Sequence, residues 1–151
     1  MLITLQFSST PQWGSSLIRK LTWSWASHVD FVLDDKTLFG ALAVENGGGV
    51  QFHELHKLDY YTRVERYTIE APDAVLDIAF SQDKKKYDWK GVFGFLFKKR
   101  KWQEDDRWFC SELVAYAFQE AGMPLIRDYS YRITPRDLLL STLLTPVKVI
   151  K

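Results

Sequence analysis

The hydrophobic pattern of this chain changes its period near residue 72, and this change limits the folds that the chain can adopt. Before residue 72, segments of strand length that are rich in β-branched and aromatic residues are separated by breakers such as Asp34-Asp35. After it, apolar residues recur at helical spacing. The predicted strands are residues 2–7, 28–33, 38–45, 49–53 and 63–70. Strands followed by helices predict an α+β domain, with the strands from residue 28 onward in an antiparallel meander.

The clearest predicted helix covers residues 110–121. Its apolar side chains fall on one stripe that starts at Cys110, and Gly122 ends it. Asp88 can cap a helix that begins at Trp89, and Thr134 can cap a last helix that runs to about residue 141. Further helices are predicted at 15–23 and 72–80, and a closing strand at 147–150.

Size and composition favour one globular unit, residues 1–151. The chain has 151 residues, of which 46% are hydrophobic, so its apolar side chains suffice for a core. The formal charge of +1 argues against a general polyanion binder. A single cysteine excludes an internal disulfide framework, and three histidines without a Cys-x-x-Cys pair disfavour a structural zinc site. The sequence shows no signal peptide and no apolar run near the roughly 20 residues of a membrane span, so we expect a cytoplasmic protein unless another route exports it.

Cys110 is either a buried structural thiol or a nucleophile. In the first turn of a helix, the unpaired backbone N–H groups and the helix dipole favour thiolate over thiol, and the same N–H groups can hold an oxyanion. Acyl transfer at such a thiol also needs an imidazole within hydrogen-bond reach and a third group that orients the imidazole.

The three histidines differ in their surroundings. His28 opens an apolar strand, which favours a ring fixed by packing, whereas His53 and His56 lie in the polar stretch QFHELHK and are predicted on the surface. Glu45 follows the apolar run 41–44 and ends the next predicted strand, so a meander can bring it beside His28. Asp30 lies on the His28 face of its strand by the period of two and competes with Glu45 as the orienting carboxylate.

Three segments resemble the NlpC-type papain-like cysteine peptidases. RWFCSELVAYAFQEAG is similar to the helix that carries the nucleophile, YDWKG to the Tyr-x-Trp-Gly-Gly element before it, and SHVDFVLDD to the histidine strand. Here the histidine precedes the cysteine, which is the order of the circularly permuted YaeF/YiiX-like branch. Two positions depart from the family pattern, because Asp30 stands where a small residue is usual and Lys90 replaces the first glycine.

The resemblance implies a permuted papain-like fold, with an antiparallel sheet or partial barrel packed against helices. It also implies a cysteine amidase or peptidase with Cys110 as nucleophile, His28 as general base and Glu45 as the orienting group. Tyr87 and Ser111 are implied near the oxyanion and substrate. The implied reaction needs neither metal nor organic cofactor, and its substrate is an acylated amine or a peptide, with cell-wall peptide and a lipid ester both left open.

A basic aromatic segment, residues 84–102, supports a different hypothesis. Residues 84–101 carry eight cations and one acid, and six aromatic rings lie among or beside them. Such a mixture suits an anionic membrane surface or single-stranded nucleic acid, but a helix with buried rings and solvated lysines explains it better. The cations that this binding hypothesis would use are Lys98, Lys99, Arg100 and Lys101.

Overall fold

The computed structural model describes residues 1–43, 48–87 and 107–151. The helix predicted from Trp89 and the cations at 98–101 lie outside these ranges. Eight strands in the described part form one sheet: β1 Leu2–Ser9, β2 His28–Val32, β3 Thr37–Leu42, β4 Gly49–Glu54, β5 Arg63–Glu70, β6 Lys86–Tyr87, β7 Arg107–Trp108 and β8 Thr145–Val149. The helices there are α1 Trp13–Thr22, α2 Ala74–Phe80, α3 Cys110–Glu120 and α4 Pro135–Leu139. The α+β prediction is confirmed.

The strand order is β7-β6-β4-β3-β2-β1-β5-β8. Strands β2, β3 and β4 pair antiparallel in sequence order, as the predicted meander requires, and β1 pairs antiparallel with β2. The extension of that meander to residues 63–70 is wrong, because β5 pairs with β1 along all eight of its residues. β5 thereby covers the edge of β1 that β2 leaves open, whereas a place beside β4 would leave that edge unpaired. The two-residue strands β6 and β7, which pair in parallel, were not predicted.

Helix α3 packs on the apolar face of the central strands. The rings of Phe31 on β2 and Phe118 on α3 stack with centroids 6.3 Å apart, and both are fully buried. The helix ends at Glu120, and Gly122 follows with a φ of 78°, a conformation that glycine adopts without strain. This packing fixes the first turn of α3, and with it Cys110, against the sheet.

The short helix α4 is stabilised at its start as the sequence predicts. The hydroxyl of Thr134 accepts a hydrogen bond from the backbone N–H of Asp137, while the Asp137 carboxylate accepts from the backbone N–H of Thr134. In the described residues, no helix has both the length and the apolar character that crossing a bilayer requires.

The central strands bury polar side chains on one face. Gln6 on β1 pairs in register with Asp30 on β2, and both residues are almost fully buried. Burying a carboxylate is costly unless hydrogen bonds replace those it made with water. Asp30 therefore needs hydrogen-bond donors on this face of the sheet.

Candidate active site

The backbone around Cys110 presents the thiol at a helix start. Phe109 is extended, with φ of −96° and ψ of 151°, and Cys110 is the first helical residue. The Glu112 carboxylate accepts a hydrogen bond from the backbone N–H of Phe109 at 3.4 Å, which satisfies one donor at this end. Cys110 itself is 1% exposed. Its thiol is therefore held in the helix field and largely shielded from water.

His28 lies beside Cys110, although 82 residues separate the two in the sequence. Burial lowers the pKa of His28, but the charge of Asp30, the charge of Cys110 and hydrogen bonds to both groups outweigh that effect and raise the pKa well above 6.5. The protonated form of His28 is thus favoured beside Asp30 and Cys110.

Asp30 makes a second contact with the His28 ring. Oδ1 of Asp30 lies 2.9 Å from Nε2 of His28, and the Asp30 side chain is only 3% exposed. Burial raises the pKa of Asp30, but the charges and hydrogen bonds of His28 and His53 reverse that effect and lower the pKa to about 2. Because an ionised carboxylate only accepts hydrogen bonds, Nε2 of His28 carries a proton, and the hydrogen-bond network assigns Nδ1 as the nitrogen left to act as a base.

His53 corrects the sequence prediction, which placed it on the surface with His56. His56 is exposed as predicted, but the His53 side chain is 13% exposed, and its Nε2 lies 3.3 Å from Oδ1 of Asp30. A polar stretch at the end of a strand gave no sign of this contact. The contact follows from the register of β3 against β4. This register pairs Gly40 with Gln51, two residues before His53.

Gly40 makes the contact between β2 and β4 sterically feasible. A Cβ atom at position 40 would lie 2.0 Å from Oδ1 of Asp30 and 3.1 Å from its Cγ. The carboxylate therefore occupies the space that the side chain of any other residue at position 40 would fill. Because Gly40 on the intervening strand β3 has no side chain, His53 on β4 can reach the same carboxylate.

Tyr87 and Ser111, which the resemblance implies near the oxyanion and substrate, are both buried. The Tyr87 ring is buried and meets the ring of Phe109 edge-on at 6.3 Å, so it lies next to the residue that precedes Cys110. The Ser111 hydroxyl is fully buried and donates to the backbone carbonyl of Ile133 at 2.7 Å, a bond that ties α3 to the approach to α4. Glu45 lies outside the described residues.

These residues define a class of site in which a helix-start thiol meets an imidazole backed by a buried carboxylate. Such an arrangement can supply a nucleophile with an adjacent base and an orienting group.

Comparison with known proteins shows the fold. Among solved structures, the chain is similar to the crystal structure of the metalloprotein YiiX (DUF1105) from Escherichia coli O157:H7, with a TM-score of 0.68 and 19% sequence identity. The match covers 99% of this chain and 97% of that chain, so the fold is YiiX-like over its whole length. No family model matches the chain, and no curated protein matches it significantly.

Proposed function

We propose that this protein is a cysteine-dependent hydrolase of amide or ester bonds, with a permuted papain-like fold of the NlpC type. The observation that carries the proposal is the chain of contacts from Cys110 through His28 to the buried carboxylate of Asp30. A buried thiol with a purely structural role has no need of an imidazole whose other nitrogen is oriented by an ionised group. The YiiX-like fold supports the permuted arrangement, in which the histidine strand precedes the cysteine helix.

The reaction starts from the thiolate of Cys110 paired with the imidazolium of His28. The sulfur attacks the acyl carbon, and the charge that develops on the carbonyl oxygen is stabilised by backbone N–H groups at the start of α3. As the tetrahedral intermediate collapses, Nδ1–H of His28 protonates the departing amine or alcohol, and a thioester with Cys110 remains. Water then gives a proton to Nδ1 and attacks the thioester, which releases the acid and restores the pair.

Asp30 takes the orienting role in this mechanism. Its hydrogen bond to Nε2 of His28 fixes the tautomer that leaves Nδ1 toward the sulfur, and its charge stabilises the imidazolium. The sequence left Asp30 and Glu45 as competing candidates for this role. The contact of 2.9 Å, made by a carboxylate on the same strand face as His28, favours Asp30.

The similar structure, that of YiiX, belongs to a metalloprotein. Among the described residues, no group of three or more His, Cys, Asp or Glu side chains is arranged to hold a metal ion. The two nearest imidazoles, those of His28 and His53, both direct Nε2 to the same oxygen of Asp30. The described residues therefore do not fit a metal centre.

The test is the reactivity of Cys110 toward iodoacetamide across pH 4–9, followed by mass spectrometry. We expect alkylation well below pH 8 in the wild type and a rate at pH 7 that is at least tenfold lower in His28→Ala, because the thiolate then loses its partner. The matched control is His56→Ala, which removes an exposed imidazole and should react like the wild type. Equal rates for wild type and His28→Ala would refute the proposed pair.

A further inference from the structure

His53 makes a second hydrogen bond to the carboxylate that orients His28. The two imidazoles come from different strands, β2 and β4, and both reach Oδ1 of Asp30, at 2.9 Å from His28 and 3.3 Å from His53. Both rings are mostly buried, with 23% and 13% of their side chains exposed. One oxygen atom thus joins the candidate base to a histidine that has no direct part in the reaction.

The arrangement is specific, because three strands must cooperate to make it. β2 supplies the carboxylate, β4 supplies the second imidazole, and β3 between them carries glycine at the position where a Cβ would strike the carboxylate. A buried carboxylate with one donor can rotate about its terminal torsion, which is broad for aspartate. A second donor to the same oxygen, from a different strand, restricts that rotation.

We propose that His53 is a positioning residue for the Cys110–His28 pair and acts through Asp30. This inference rests on the proposed function. The Nε2–H of His53 donates to Oδ1, holds the Asp30 carboxylate in place, and so fixes the direction in which Nε2–H of His28 points. When the donor at position 53 is lost, the carboxylate orients the His28 ring less well and stabilises the imidazolium less.

The experiment compares His53→Phe with His53→Gln. Phenylalanine keeps a planar ring but removes the donor, while the amide nitrogen of glutamine can reach the place of Nε2. We expect His53→Phe to lower the alkylation rate of Cys110 at pH 7 about tenfold, and His53→Gln to stay within about threefold of the wild type. His56→Phe, in the same segment but exposed, should leave the rate unchanged.

The pH profile separates positioning from a general loss of structure. Because the charge of Asp30 raises the pKa of His28, a misplaced carboxylate should move the upper inflection of the rate profile to lower pH in His53→Phe. Tyr61, whose pKa burial raises to about 12, does not titrate between pH 4 and 9. A variant that is only less stable would keep its inflection where the wild type has it.

A measurement on the wild type keeps the inference testable if His53→Phe does not fold. Nitrogen-15 NMR of the imidazoles reports which ring nitrogen of His53 carries its proton. A protonated Nε2 at pH 7 supports the inference, and an unprotonated Nε2 overturns it. If His28→Ala lowers the alkylation rate but His53→Phe leaves rate and inflection unchanged, the positioning role is wrong and the proposed function stands. If His28→Ala has no effect, the proposed function itself fails.

Discussion

Gly40→Ala tests whether the Asp30 carboxylate needs the space that glycine leaves empty at position 40 of β3. The new Cβ would lie 2.0 Å from Oδ1 of Asp30, and Cβ atoms in proteins essentially never come closer than 3.0 Å to such a neighbour. The carboxylate must therefore move by about 1 Å or more. That movement exceeds what hydrogen bonds of 2.9 and 3.3 Å can absorb, so at least one of the two bonds to His28 and His53 is lost.

The magnitude follows from the charge on the acceptor. A hydrogen bond to an ionised group contributes roughly 1.5–3 kcal/mol, while replacement of glycine inside a strand by alanine recovers roughly 0.5–1 kcal/mol of backbone entropy. We expect the free energy of unfolding to fall by about 1.5 kcal/mol when one of these bonds is lost. We also expect slower alkylation of Cys110, because the base loses its orientation.

Urea unfolding at pH 7, followed by the fluorescence of the six tryptophans, measures the change in stability. The control is Gly14→Ala in α1, where a new Cβ meets nothing within 4 Å and should be neutral or slightly stabilising. A double-mutant cycle with Asp30→Ala identifies the cause, because Gly40→Ala should cost almost nothing once the carboxylate is gone. The reasoning is refuted if Gly40→Ala costs the same in both backgrounds, or nothing in the wild type.

Two further predictions concern Asp30 and Ser111. Because the pKa of Asp30 is lowered from 3.8 to about 2 in the folded protein, its ionised form contributes roughly 2 kcal/mol above pH 4, and this contribution is lost as the pH falls toward 2. Acid unfolding should therefore show Asp30→Asn less stable than the wild type at pH 5 and nearly equal to it at pH 2; a gap that does not change with pH contradicts the assignment. Ser111→Ala removes the donor to the Ile133 carbonyl and should lower the free energy of unfolding by roughly 1–3 kcal/mol in urea titrations, whereas an unchanged midpoint would show that this buried bond adds no stability.

The sequence by itself determined the local structure and the chemical groups of the site. Strand and helix periods predicted most of the described elements to within a few residues, since the period of apolar side chains, the glycine stop at Gly122 and the cap at Thr134 are properties of neighbouring residues. The same local reasoning singled out Cys110 and His28, and placed Asp30 on the face of His28.

Tertiary structure alone decided which strand lies beside β1 and which groups meet at the Asp30 carboxylate. Pairing of β5 with β1 is a long-range contact that no short window of sequence encodes. The contact of His53 with Asp30 depends on three strands in register and on a missing side chain at Gly40. The local sequence around a histidine near the end of a strand does not distinguish a ring that faces water from one that faces a buried charge. Only the fold sets the distance between residues that lie far apart in the chain.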